Sequence, residues 1–129
     1  THYCGSSLWS DPSLGTEKTL VGCWFAAPSP VVRQDFQDRY RILFGDVPPG
    51  LASLGYDAVS MAAVLARQPG GPAFDAGSIT QPSGFLGVGR VFRNLPDGGN
   101  QRGLAVLLVE RDGFEIQDPA PQSFDLLIN

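Results

Sequence analysis

Side chains capable of chemistry are few in this chain and poorly grouped. One histidine, His2, and two cysteines, Cys4 and Cys23, fall short of the ligand number and spacing of a zinc site. Two buried thiols are the simpler expectation, although a Cys4–Cys23 bridge is chemically allowed in an oxidising compartment. No Gly-x-Ser-x-Gly turn is present, and no pair of carboxylates sits in a recognisable motif, so a nucleophile with its base cannot be assembled from the sequence. The glycines of Gly84-Phe85-Leu86-Gly87-Val88-Gly89 precede a strand instead of joining a strand to a helix, which a dinucleotide loop requires. The expectation is a non-enzyme with no cofactor and no metal. What remains is hydrogen bonding and shape. Ser6 and Ser7 could bond a neutral ligand, but a plain turn-forming role is the simpler expectation. Trp9 lies in a polar loop and could wall a cleft, whereas Trp24 lies in an apolar run and is expected in the core. Tyr56 and Asp57 are adjacent on a helix and point to different faces; Asp57 is expected to bond a nearby loop or backbone amide.

The elements that position these residues follow from the apolar pattern. His2 to Cys4 reads as a short strand ahead of a polar loop, and Ser10 to Leu14 as a turn of helix capped by Ser10 or Asp11 with Pro12 at its first position. Leu20 to Ala27 is a continuous apolar run, as in a strand covered on both faces. Ser29-Pro30 starts a helix in which Val32, Phe36, Tyr40 and Phe44 recur every four residues; Gly45 can cap it and Pro48-Pro49 stops it. A second helix runs from about Leu51 to Arg67, and Phe74 to Thr80 is at most one helical turn. From Gly84 to Phe92 the pattern is half of a hairpin whose partner is Gly103 to Glu110, followed by a short strand at Phe114 to Ile116. Phe124 to Ile128 is expected to pack as an apolar end.

At 129 residues, 43% hydrophobic and 17% charged, the chain suffices for a single α/β domain with one core. A net charge of −4 with scattered basic residues argues against nucleic acid. No apolar run is long enough to cross a bilayer. One lysine, Lys18, against eight arginines suits a GC-rich bacterial genome.

The order of Leu20 to Pro28, Tyr40-Arg41-Ile42-Leu43-Phe44-Gly45, Leu54-Gly55-Tyr56-Asp57-Ala58-Val59 and Gly84 to Phe92 before Pro96-Asp97-Gly98 resembles the type I periplasmic solute-binding proteins. The likeness is to the later part of members such as the leucine/isoleucine/valine-binding proteins, and extends to the penicillin-binding-protein activators. It implies an α/β partial lobe, with residues 1–129 forming a single domain or fragment of a two-lobed ligand-binding domain whose hinge the chain crosses three times. It further implies that the two helices lie near the first lobe and that the meander from Phe85 returns to the second. The implied setting is the bacterial periplasm, with a lipid anchor, if any, carried outside this segment. The implied partners are a small-molecule ligand and a membrane permease, or a cell-wall synthase for an activator-like regulatory protein. Cleft candidates are Ser6, Ser7, Trp9 and Leu51, the last at a position where the family often places a ligand contact, although a core role is the plainer expectation. Amino-acid-binding members place a carboxylate just after the strand matching His2 to Cys4, where Gly5-Ser6-Ser7 has none, so a branched-chain amino acid is expected to bind poorly. An opened sheet with free edges also implies a homodimer of the segment.

Overall fold

The computed structural model describes residues 4–124. The expected strand positions His2 and Tyr3 and the expected apolar end over 125–128 lie outside them. The chain divides into two compact units, one built from residues up to Ser29 together with Leu104–Ala120, the other from Pro30–Gly103 and the stretch from Pro121. It therefore passes between units three times, after Ser29, after Gly103 and after Ala120.

The first unit is a four-stranded sheet in the order β1-β2-β6-β7, from Cys4–Gly5, Trp24–Ala27, Ala105–Glu110 and Gly113–Asp118. β1 lies parallel to β2, and the other pairings are antiparallel. The apolar run from Leu20 is not all strand. Leu20 to Cys23 turns, with the Cys23 amide donating to the Leu20 carbonyl and Gly22 at φ +88°, so only Trp24–Ala27 extends. Nor are both faces of this strand covered. Phe25 and Ala27 are buried, while Trp24 is 53% exposed, which corrects its expected place in the core. Pleating accounts for this, since alternate side chains of a strand face opposite ways. The same pleat separates the cysteines: Cys4 pairs with Trp24 and is exposed, Cys23 is buried, and both are free thiols, so only one is a core thiol.

Phe25, Ala27, Ala105, Leu107, Val109 and Ala120 form this unit's core, with Trp9, Leu14 and Phe114 packed against it. Phe25 meets Phe114 edge to face at 4.9 Å between ring centres. Two 3₁₀ turns, Ser7–Trp9 and Pro12–Thr16, follow β1; Asp11 caps the second by accepting the Ser13 amide at 2.9 Å.

The second unit holds α1 (Pro30–Phe44), α2 (Ala52–Ala66), the single turn α3 (Ala76–Ile79) and a sheet of β3 (Phe85–Gly87), β4 (Arg90–Asn94) and β5 (Asn100–Arg102). Gly45, at φ +75°, closes α1 through its amide to the Arg41 carbonyl. On the expected stripe Phe36 is buried and Tyr40 partly so, but Phe44 is exposed. The helices meet where Phe36 stands edge to face with Tyr56 at 5.6 Å. Leu65, Phe85 and Phe92, flanked by Met61 and Ile79, make a second core cluster where one core was expected.

The hairpin is also paired differently. Gly87 faces Arg90 across Val88-Gly89, so Gly84 to Phe92 folds back on itself. β4 then pairs with Asn100–Arg102, while Ala105–Glu110 belongs to the other sheet. A two-residue turn with glycine at its second place satisfies local pairing before any longer loop needs to close. In consequence β3 to β5 belong with the helices, and only β6 and β7 return to the first unit. Among the described residues no helix is long and apolar enough to cross a membrane.

Candidate functional site

β1 and β2 are the parallel pair, and their carboxyl ends open on one edge of the sheet. In open α/β sheets ligands settle outside such ends, because the loops there are free to vary while the strands hold them rigidly. Ser6 and Ser7 follow β1 directly, and Ser29, which the sequence offered only as a helix start, follows β2. Ser29 is buried, unlike Ser6 and Ser7.

Trp9 shapes this turn. The Trp9 amide donates to the Ser6 carbonyl at 2.9 Å, and the indole folds back over Gly5 so closely that a β-carbon there would collide with the ring. The ring also packs beside Phe25, 6.4 Å between centres, which leaves Trp9 half-buried as a cover on the core. Its contribution is to set the turn. Ser6 Oγ accepts the Leu8 amide at 3.5 Å, a long bond that leaves the hydroxyl hydrogen free to turn outward. Ser7 begins the 3₁₀ turn and accepts the Ser10 amide through its carbonyl, so its hydroxyl is not used by that bond.

No charged side chain lies in Gly5 to Ser10. The first carboxylate, Asp11, is engaged as a cap, and the backbone and side-chain hydrogen bonds from Ser13 hold its pKa below the ordinary carboxylate value. The turn therefore presents hydroxyls and no anion to anything beyond it.

Leu51 belongs to the other unit, where it precedes α2 and is 75% exposed, so the plainer core role does not hold. Asp57 bonds a backbone amide, as expected of it. It is buried on α2 and accepts the Val88 amide, while Tyr56, on another face, is half exposed and packs on Phe36 of α1. Its second partner, Arg102, was not legible, since nothing in a sequence links residues so far apart. A hollow on α1 lined by Asp35, Asp38, Arg39 and Ile42 is part of the solvated face of that helix. Among the described residues no cluster of His, Cys, Asp and Glu could hold a metal ion.

The chain matches no protein-family model and no curated protein. Three solved structures resemble it. A Rhodospirillum rubrum protein assigned to branched-chain amino acid ABC transport is 24% identical with a TM-score of 0.68, over 89% of this chain and 36% of its own. A leucine binding protein of Thermotoga maritima is 21% identical with a TM-score of 0.51, over 88% and 35%. An ABC transporter substrate-binding protein of Desulfitobacterium hafniense is 22% identical with a TM-score of 0.54, over 90% and 35%. This chain spans little more than a third of the length of each. At such identities the likeness is one of fold, and the chain has the partial α/β fold of the type I solute-binding proteins, as its motif order implied.

Proposed function

We propose that this chain is one portion of a two-lobed solute-binding protein that carries a small molecule to an ABC-type transporter in the bacterial periplasm, without catalysing a reaction. One observation carries the reading: nine-tenths of the chain shares its fold with proteins named for transport and substrate binding. The triple passage of the chain between the two units agrees with a hinged domain. Ser6 and Ser7 are the ligand-facing groups of the first unit, with Trp9 fixing their turn, and the exposed Leu51 is the apolar candidate of the second unit considered by itself. A membrane permease is the partner such a protein serves.

The chemistry of the turn narrows the ligand. A buried ammonium requires a paired negative charge, and Gly5 to Ser10 supplies none. Neutral solutes such as amides and small blocked peptides fit hydroxyl donors and acceptors better than branched-chain amino acids do. Calorimetry on the protein carrying this segment tests the reading with leucine, neutral amides and small peptides. A neutral ligand is expected to bind, and replacing Ser6 and Ser7 together by Ala should weaken it about tenfold, the loss of one or two hydrogen bonds. Failure of every class to bind would defeat the transport reading, and tight binding of leucine would defeat the choice of ligand.

A further inference from the structure

The chain has one methionine, Met61, and its sulfur is engaged by a side-chain amide. Asn94 Nδ2, at the end of β4, donates to Met61 Sδ at 3.3 Å and to the Ile79 carbonyl at 3.4 Å. The other end of that amide is fixed as well, since Asn94 Oδ1 accepts from Asn100 Nδ2 of β5 at 3.1 Å. Met61 lies on α2 and packs against the cluster of Leu65, Phe85 and Phe92, yet it is only partly buried and so is not sealed from water.

A thioether sulfur is a soft nucleophile with two lone pairs, and peroxide converts it to a sulfoxide. Sulfur gives an electron pair to one peroxide oxygen and the O–O bond breaks. The hydroxide released takes the proton left on the delivered oxygen, so sulfur is oxidised and the peroxide is reduced to water. The lone pair that reacts decides the chirality of the product. A nitrogen-to-oxygen hydrogen bond by itself spans about 2.9 Å, so the 3.3 Å between Asn94 Nδ2 and the sulfur leaves no room for an oxygen on that side. Nor is Asn94 free to step back, being held by Ile79 at one end and Asn100 at the other. Oxygen on the remaining lone pair still places a polar group against Leu65, Phe85 and Phe92, which costs free energy wherever no donor meets it.

We propose that Met61 is a reversible oxidation site: peroxide adds oxygen to the lone pair that Asn94 leaves free, and the sulfoxide epimer so formed loosens α2 from β4. Methionine sulfoxide reductases act on one epimer each. The enzyme that matches this epimer restores the thioether, with two thiols oxidised to a disulfide and the oxygen leaving as water. The site requires no solute, so it stands or falls separately from the transport reading.

Peroxide treatment of the folded chain followed by trypsin tests it, because peptide 42–67 carries Met61 and no cysteine. One sulfoxide epimer is expected in about fivefold excess, the weight of one hydrogen bond, against equal amounts when the chain is oxidised in denaturant. The two are told apart by which stereospecific reductase consumes them. Asn94→Leu, which removes the amide, should bring the epimers close to parity, whereas Asp38→Asn, which breaks only the exposed pair with Arg41, should leave the excess as it was. Oxidation should also speed amide exchange in α2 and β4 by about tenfold, reversibly on reduction, and should do nothing of the kind in Met61→Leu. Equal epimers from the folded chain, a Met61 that reacts only in denaturant, or an excess that survives Asn94→Leu would overturn the site. Exchange in α2 and β4 that is indifferent to oxidation would overturn the loosening. If Asn94→Leu does not fold, the comparison of folded and denatured wild-type chain decides alone.

Discussion

The two units reach order by different means. In the sheet of the first, strand alternation sorts residues so completely that Phe25, Ala27, Ala105, Leu107 and Val109 are all buried while their neighbours along the strands are more exposed. In the second, α2 is apolar nearly all round, yet Leu54, Val59 and Val64 remain exposed, as do Ile42, Leu43 and Phe44 at the end of α1. A helix of that composition is ordinarily a buried one. Its inner face rests on a small cluster of Leu65, Phe85 and Phe92, supplemented by the Asp57–Arg102 pair. Dispersed apolar burial holds the first unit, and a few specific contacts hold the second.

Asp57→Ala should separate the two most sharply. It strands the Arg102 charge and the Val88 amide together, a loss of about 3–5 kcal/mol, and hydrogen exchange should show it first in α2, β3 and β4. Leu107→Ala is the counterpart in the first unit, expected to cost about 2–5 kcal/mol through the cavity it leaves, read as early exchange in β2, β6 and β7. Equal loss of protection in both units from either variant would show that they unfold as one and dissolve the contrast.

Acid gives a smaller, local effect. Side-chain and backbone hydrogen bonds from Ser78 hold the Asp75 pKa below its ordinary value, as those from Ser13 do for Asp11. A lowered folded pKa favours the fold above the unfolded value, near pH 4, and that contribution disappears as pH falls through the folded one. The α3 amides and those following Asp11 should therefore lose protection on acidification ahead of the rest, as a pH series of exchange spectra would reveal. Leu51→Ser should do least, within about 0.5 kcal/mol either way, because the side chain is already in water; a large drop in denaturant midpoint would mean that Leu51 is covered in solution.

Legibility in the sequence divides along the same line. Both long helices were readable because period and punctuation agree, with Pro30 at one start and Gly45 at one end. The single turn at Ala76–Ile79 was also within reach, since Asp75 is a natural cap. Strands were harder. An apolar run such as Leu20 to Ala27 cannot tell a turn from a strand until Gly22 takes its positive φ, and the partner of Gly84 to Phe92 depended on whether Val88-Gly89 turned. At the candidate site, the serines and Trp9 could be named from loop chemistry. The fold of the indole over Gly5 and the meeting of Arg102 with Asp57 are tertiary facts with no local trace.

One feature of the chain path bears on how the molecule is made. The first unit's sheet has β2 at its centre paired with β6, and all of Pro30–Gly103 lies between them in the chain. Such pairing is of high contact order and closes slowly, whereas α1 to β5 is built from neighbours in sequence. During synthesis the second unit can complete most of its contacts while Trp24–Ala27, paired at most with the two residues of β1, still lacks β6 along its other edge, with Phe25 and Ala27 uncovered. Nascent-chain arrest before Leu104 should leave that strand open to proteolysis and chaperones, and arrest past Asp118 should protect it.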